Sequence, residues 1–176
     1  MQLIDSRVIS APPATVWAAL LDAEVLKAAV PGCEELSGSV ESGYEAAVVQ
    51  KVGPVKARFT GLVTFSDIVE GQSLTLTGEG KGGAAGFAKG EAQVSLEPAA
   101  LADGTAGTKL SYQVDAKVGG KLAQLGSRII DGFARKMADD FFARFAEAVE
   151  GPKETEAEGD GEAPKKGWFK RILGSD

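Results

Sequence analysis

The sequence predicts an α+β domain: a curved antiparallel sheet of about seven strands wrapped on one long C-terminal helix, with two short helices after the first strand. Three observations predict it. From Glu35 to Val118 apolar residues recur with a period of two, and over 121–149 the period becomes helical. Breaks in the alternating stretch fall at Glu41-Ser42-Gly43, Gly53-Pro54, Glu70-Gly71-Gln72 and Ala102-Asp103-Gly104, all of them hairpin-turn chemistry. Hairpins join antiparallel neighbours, and a sheet with one apolar face must bury it.

Residues 2–10 read as the first strand. Ala11-Pro12-Pro13-Ala14-Thr15 then opens a helix, with proline tolerated in the first turn, and Val16, Trp17, Leu20 and Leu21 give it an apolar face. A second short helix runs through Ala23–Ala29 and stops at Pro31-Gly32. The fourth strand alternates most clearly: Val55, Ala57, Phe59, Gly61, Val63 and Phe65 face one way, and Lys56, Arg58, Thr60, Leu62, Thr64 and Ser66 the other. The same reading turns inward Ala46, Val48 and Val52 on the strand before it. Later strands add Leu74 and Leu76, then Ala92, Val94 and Leu96, then Leu110, Tyr112, Val114 and Ala116.

The element that buries this face is the helix predicted over 121–149. Leu122, Leu125, Ile129, Phe133, Met137, Phe141 and Phe145 lie three or four residues apart and form one stripe. An unbroken helix of that span is ~43 Å long, enough to cross a whole sheet. Many facing positions are small: Ala46, Ala57, Gly61, Ala92 and Ala116 on the sheet, and Ala123, Gly126, Gly132, Ala134 and Ala138 on the helix. Small residues either draw two layers together or leave a void. A curved sheet around a straight helix cannot close everywhere, which favours an apolar cavity, the default form of a ligand site. The expected lining is Phe59, Gly61, Val63, Phe65 and Tyr112 from the sheet and Leu125, Ile129, Phe133, Met137 and Phe141 from the helix. Phe87, amid the glycines of 78–90, is expected to plug the mouth.

Composition narrows the chemistry. The chain has no histidine and one cysteine, so zinc, haem and iron–sulfur sites have almost no ligands and the usual neutral-pH general base is missing. A non-catalytic protein is the expectation. Cys33 reads as a small buried hydrophobe in a reducing cytoplasm, and Asp139-Asp140 as a solvated helix face. The glycine-rich stretch Gly78–Gly90 lacks the Gly-Lys-Ser/Thr ending of a phosphate loop and joins two strands; it reads as a flexible hairpin at the cavity mouth or a docking loop. Residues 1–149 carry 14 basic and 18 acidic side chains, and an acidic body argues against nucleic acid. No run approaches a membrane span, and the first residues lack the pattern of a secretory signal.

Three segments follow: a domain at 1–149, an acidic linker at 150–163, and a tail at 164–176. The linker carries Glu150, Glu154, Glu156, Glu158, Asp160 and Glu162 against one lysine and has the composition of a disordered tether. In the tail Trp168, Phe169, Ile172 and Leu173 would share one face of a short helix, with Lys165, Lys166, Lys170 and Arg171 around the other. That arrangement suits weak, salt-sensitive binding to an anionic membrane surface; the alternative is a peptide that docks on a protein.

The order strand, two short helices, six strands and long helix resembles the START-like, or helix-grip, superfamily, and Ala11-Pro12-Pro13-Ala14-Thr15-Val16-Trp17 looks like that superfamily's usual approach to its first helix. More specifically, Val30-Pro31-Gly32-Cys33-Glu34 and Gly120-Lys121-Leu122-Ala123-Gln124-Leu125-Gly126-Ser127-Arg128, continuing to Phe141-Phe142, resemble the CoxG family associated with aerobic carbon monoxide dehydrogenase. The resemblance covers residues 1 to about 149. It implies a partner, a molybdenum hydroxylase of the carbon monoxide dehydrogenase type, and a place on the inner face of the cell membrane as a peripheral cytoplasmic protein. It also implies an apolar small molecule between sheet and helix. An isoprenoid quinone, menaquinone or ubiquinone, is the expected ligand, linking the enzyme to the respiratory chain. A recruitment factor without ligand and a polyketide-cyclase-like enzyme are the competing expectations.

Overall fold

The first strand, β1 (Gln2–Ile9), leads into two short helices, α1 (Pro13–Leu20) and α2 (Ala23–Ala29). The computed structural model describes residues 1–150 and, beyond them, the extended pairs Phe169–Lys170 and Ile172–Leu173. Pro13 opens α1, where its missing N–H leaves no hydrogen bond unmade. Asp22 caps α2 by accepting from the Glu24 N–H at 2.9 Å. Six strands follow: β2 (Cys33–Ser39), β3 (Gly43–Val52), β4 (Val55–Val69), β5 (Ser73–Lys81), β6 (Phe87–Ala100) and β7 (Ala106–Gly119).

All seven form one antiparallel sheet in the order β1-β7-β6-β5-β4-β3-β2. The chain's first strand therefore pairs with the last of the seven, and β1 and β2 are the edges. Two contacts secure that closure. The Thr108 hydroxyl, fully buried, donates to the Ala11 carbonyl at 2.7 Å, and the Met1 amine donates to the Ala116 carbonyl at 2.9 Å.

The C-terminal helix is not the single rod that the spacing predicts. A short α3 (Lys121–Gln124) ends at Leu125, Gly126 adopts φ +88°, and α4 runs over Ser127–Glu150. A left-handed residue ends a helix, and glycine takes that conformation without a Cβ clash. With 24 residues α4 is ~36 Å long. The break also rotates the apolar stripe, with consequences for the cavity.

The densest core lies where α1 meets the C-terminal half of α4. Phe145, Leu110, Ile9 and Val16 are fully or almost fully buried there, beside Trp17 and Leu20. Phe145 stacks on Phe141 at 5.6 Å, and Phe142 stacks on Tyr112 at 5.0 Å. Polar groups seal the seam between α4 and the edge strand. Arg7 Nη2 donates to Asp139 Oδ1 at 2.7 Å with its guanidinium 5.0 Å from the Phe142 ring, and the Ser10 N–H donates to Glu150 Oε2 at 2.8 Å. On the opposite side α2 packs against both α4 and β2.

The glycine-rich stretch is mostly sheet. Gly78 and Gly80 lie in β5, Gly90 in β6, and only Gly82–Gly86 turns, around a single 3-10 turn at Gly83–Ala85. Its tip is packed rather than loose: Ala85 is buried, and a Cβ on Gly86 would collide with the Gly119 carbonyl oxygen. The helix expected in the tail is not seen over Phe169–Lys170 and Ile172–Leu173, which are extended. The remaining tail candidates, Lys165, Lys166, Trp168 and Arg171, and all of the acidic linker after Glu150, lie outside the described residues.

Candidate apolar ligand cavity

Register explains why sheet and helix part. Rows of inward residues cross the sheet at Val63–Gly78–Gly90–Ala116 and at Gly61–Gly80–Ala88–Val118. The middle strands thus present only Cα and Cβ atoms toward the helix over two successive rows. A neighbouring row, Phe65–Leu76–Ala92–Val114, is larger at its ends than at Ala92. Side chains from α4 do not reach across this shallow floor, and a cavity of ≈ 990 Å³ remains. Small facing residues leave a void here.

The walls are overwhelmingly aliphatic and aromatic. Phe59, Phe65, Leu74, Leu76, Val94 and Val114 come from the sheet, Leu20 and Leu26 from the short helices, and Ile130, Phe133, Met137, Phe141 and Phe142 from α4. The deep end, by α1, is formed by the buried Leu20, Leu74, Val94, Leu110 and Tyr112. The exposed lining residues gather at Gln2, at Lys117 and at Ala123, Gly126, Ser127 and Asp131, so the mouth lies between the end of β7 and the α3–α4 junction.

Six of the eleven predicted lining residues meet around this space: Phe59, Phe65, Tyr112, Phe133, Met137 and Phe141. The other five do not, four of them for a clear physical reason. Gly61 is glycine because β5 runs too close for any side chain; a Cβ there would collide with the Glu79 carbonyl oxygen. Phe87 points from the outer face and lies across its partner Gly119, so it covers exposed glycine backbone and does not plug the mouth. Leu125 and Ile129 fall on the far side of the Gly126 break, against the β3–β4 turn at Gly53, and Ile129 is 41% exposed. The break rotates Ile130 inward in place of Ile129. Val63 shares an inward row but is not part of the lining.

Tyr112 contributes its ring. Its oxygen accepts from Arg7 Nη2 at 3.2 Å, which commits it to the β1–α4 seam. The Asp139-Asp140 pair is likewise engaged, Asp139 by Arg7 and Asp140 by Lys136 at 3.0 Å. Cys33 is half-buried, not buried; its Sγ donates to the Glu35 carbonyl at 3.4 Å, and burial pushes the thiol up from its ordinary value, which makes it a poor nucleophile. Among the described residues no three metal-ligating side chains converge. None of their helices is long and apolar enough to cross a membrane.

Apolar periodicity does not single out Gln50. It occupies the inward position between Val48 and Val52 on β3, lines the cavity, and donates from Nε2 to the Pro31 carbonyl at 2.6 Å. A signal for it does exist in the chain: a polar residue at an inward position of an alternating strand is more informative than another apolar one.

Comparison with known proteins bears on this geometry. Residues 6–150 match the carbon monoxide dehydrogenase family described as CoxG. Among the curated proteins nothing matches. Among solved structures, a conserved protein from Geobacillus kaustophilus is 28% identical, with a TM-score of 0.77 over 85% of this chain and 95% of its own. A START superfamily protein from Mycobacterium smegmatis is 14% identical, with a TM-score of 0.61 over 85% of this chain and 97% of its own. An aromatase/cyclase from a Streptomyces species is 13% identical, with a TM-score of 0.54 over 85% and 93%. The last two share the START-like fold.

Proposed function

The chain belongs to the CoxG family of carbon monoxide dehydrogenase, and from that premise we propose that it is a non-catalytic carrier of an apolar ligand serving a molybdenum hydroxylase at the membrane. The observation that carries this reading is the cavity: ≈ 990 Å³ walled by Phe, Leu, Val and Met, with few polar groups and no convergent acid–base pair among the described residues. Such a space suits a lipid-like molecule held by area, not a substrate oriented for reaction.

The ligand in this reading is an isoprenoid quinone. A soluble oxidoreductase must pass electrons to an acceptor that lives in the bilayer, and an enclosed apolar space lets that acceptor leave it. At roughly 30 Å³ per water-sized group, the cavity takes roughly 30 non-hydrogen atoms, enough for a two-ring quinone head and about three isoprene units. A longer prenyl chain would leave through the mouth at the α3–α4 junction. The aromatic and basic residues of 164–176 are the membrane contact in the same scheme.

Mass spectrometry of lipid extracts from the purified full-length chain tests the proposal, together with uptake from quinone-loaded vesicles. Quinone in the extract and saturable uptake are expected. A clean extract with no uptake would leave recruitment of the enzyme, without a ligand, as the function.

A further inference from the structure

Gln50 interrupts an apolar inward row that otherwise reads Ala46, Val48 and Val52. Its orientation follows from chemistry. The Pro31 carbonyl can only accept, so the group 2.6 Å from it must be the amide nitrogen, and Oε1 is turned away from the α2–β2 loop. One N–H is spent on Pro31. The second N–H and both lone pairs of Oε1 have no partner among the described residues. Nor is Oε1 among the sealed, unpartnered atoms of the interior; of the described residues Arg7 Nε alone is, so the Gln50 oxygen keeps open space in front of it.

An amide dipole facing an apolar void is costly unless something bonds to it, and an apolar ligand that covered it would desolvate it without compensation. A ligand with one polar end gains by placing that end there. We propose that Gln50 is the polar anchor of the cavity, holding an oxygen-bearing ring of the ligand at the β3 wall while the hydrocarbon fills the space toward the mouth. The remaining N–H donates to a carbonyl, and Oε1 accepts from a hydroxyl. The same side chain therefore engages a quinone and its reduced quinol, whereas a lysine or a carboxylate in its place would favour one form. This assignment rests on the carrier reading and adds a specificity-determining residue to it.

The test uses the full-length chain and two probes presented in neutral phosphatidylcholine vesicles: a prenylated naphthoquinone and the hydrocarbon squalene. Gln50→Met keeps the length and volume of the side chain and removes the amide. Affinity for the naphthoquinone is expected to fall about three- to tenfold, the loss of one buried hydrogen bond, with squalene uptake unchanged. Equal losses for both probes would mark Gln50 as a mere support for the Pro31 loop, and no loss for either would show that nothing polar binds there; both results overturn the anchor. If the wild-type chain takes up neither probe, the carrier reading itself fails and the anchor falls with it. A second measurement needs no variant. In the infrared spectrum of the bound naphthoquinone one carbonyl stretch should be lowered relative to the other, and two unshifted bands would refute the assignment.

Discussion

Replacing Ala92 by leucine should stabilise the empty protein and diminish its capacity for ligand. Ala92 sits on the cavity floor between Leu76 and Val114. Leucine adds three carbon atoms, worth ~0.8 kcal/mol each when buried, against ~0.5–1 kcal/mol of lost rotamer freedom. The balance is ~1.5 kcal/mol in favour of the variant, or roughly 3–6 °C in Tm for a domain of this size. Thermal and urea unfolding of ligand-free protein measure the first effect, and quinone uptake from vesicles the second. A loss of ~1–3 kcal/mol, as in an overpacked core, would refute the reasoning, because it would mean that the space is already filled. Gly61→Ala is the contrasting case. Its Cβ meets the Glu79 backbone oxygen instead of open space, so β4 or β5 must shift and the domain should lose ~1 kcal/mol or more despite the smaller addition.

Two further outcomes follow from the same structure. Phe145→Ala removes the fully buried ring that joins α4 to the core and should cost ~3–5 kcal/mol by urea unfolding; a loss below ~1 kcal/mol would show that α4 is not anchored at that end. Deleting residues 164–176 should abolish co-sedimentation with anionic vesicles, and raised salt should weaken the binding of the intact chain, since each of the four basic residues contributes ~1 kcal/mol near such a surface. Undiminished vesicle binding by the truncated chain would remove the tail from the mechanism.

Much of the fold is legible in single residues. The alternation Val55 to Phe65 places β4 and its inward face, Pro13 opens α1, and Ala23–Ala29 and the hairpin turns stand where their turn and capping residues put them. The candidate site is legible only in part, because periodicity assigns a face within one element and says nothing about where a neighbour's backbone passes. Gly61 looks like a floor position until β5 is placed against it. Ile129 belongs to the helical stripe until Gly126 turns left-handed and resets its phase, and Phe87 looks like a plug until β6 is registered on β7.

The sequence by itself determined the class of the protein: strands of period two, a helix to cover them, small residues on the facing surfaces and little with which to catalyse. These follow from local sterics and from the need to bury apolar area. Only the tertiary structure decided that β1 pairs with β7, that glycine and alanine rows coincide across four strands to make the void, and that Gln50 faces it beside the Pro31 carbonyl. Those are relations between residues far apart in the chain. Strand register and the phase of α4 set them, and no short window of sequence contains either.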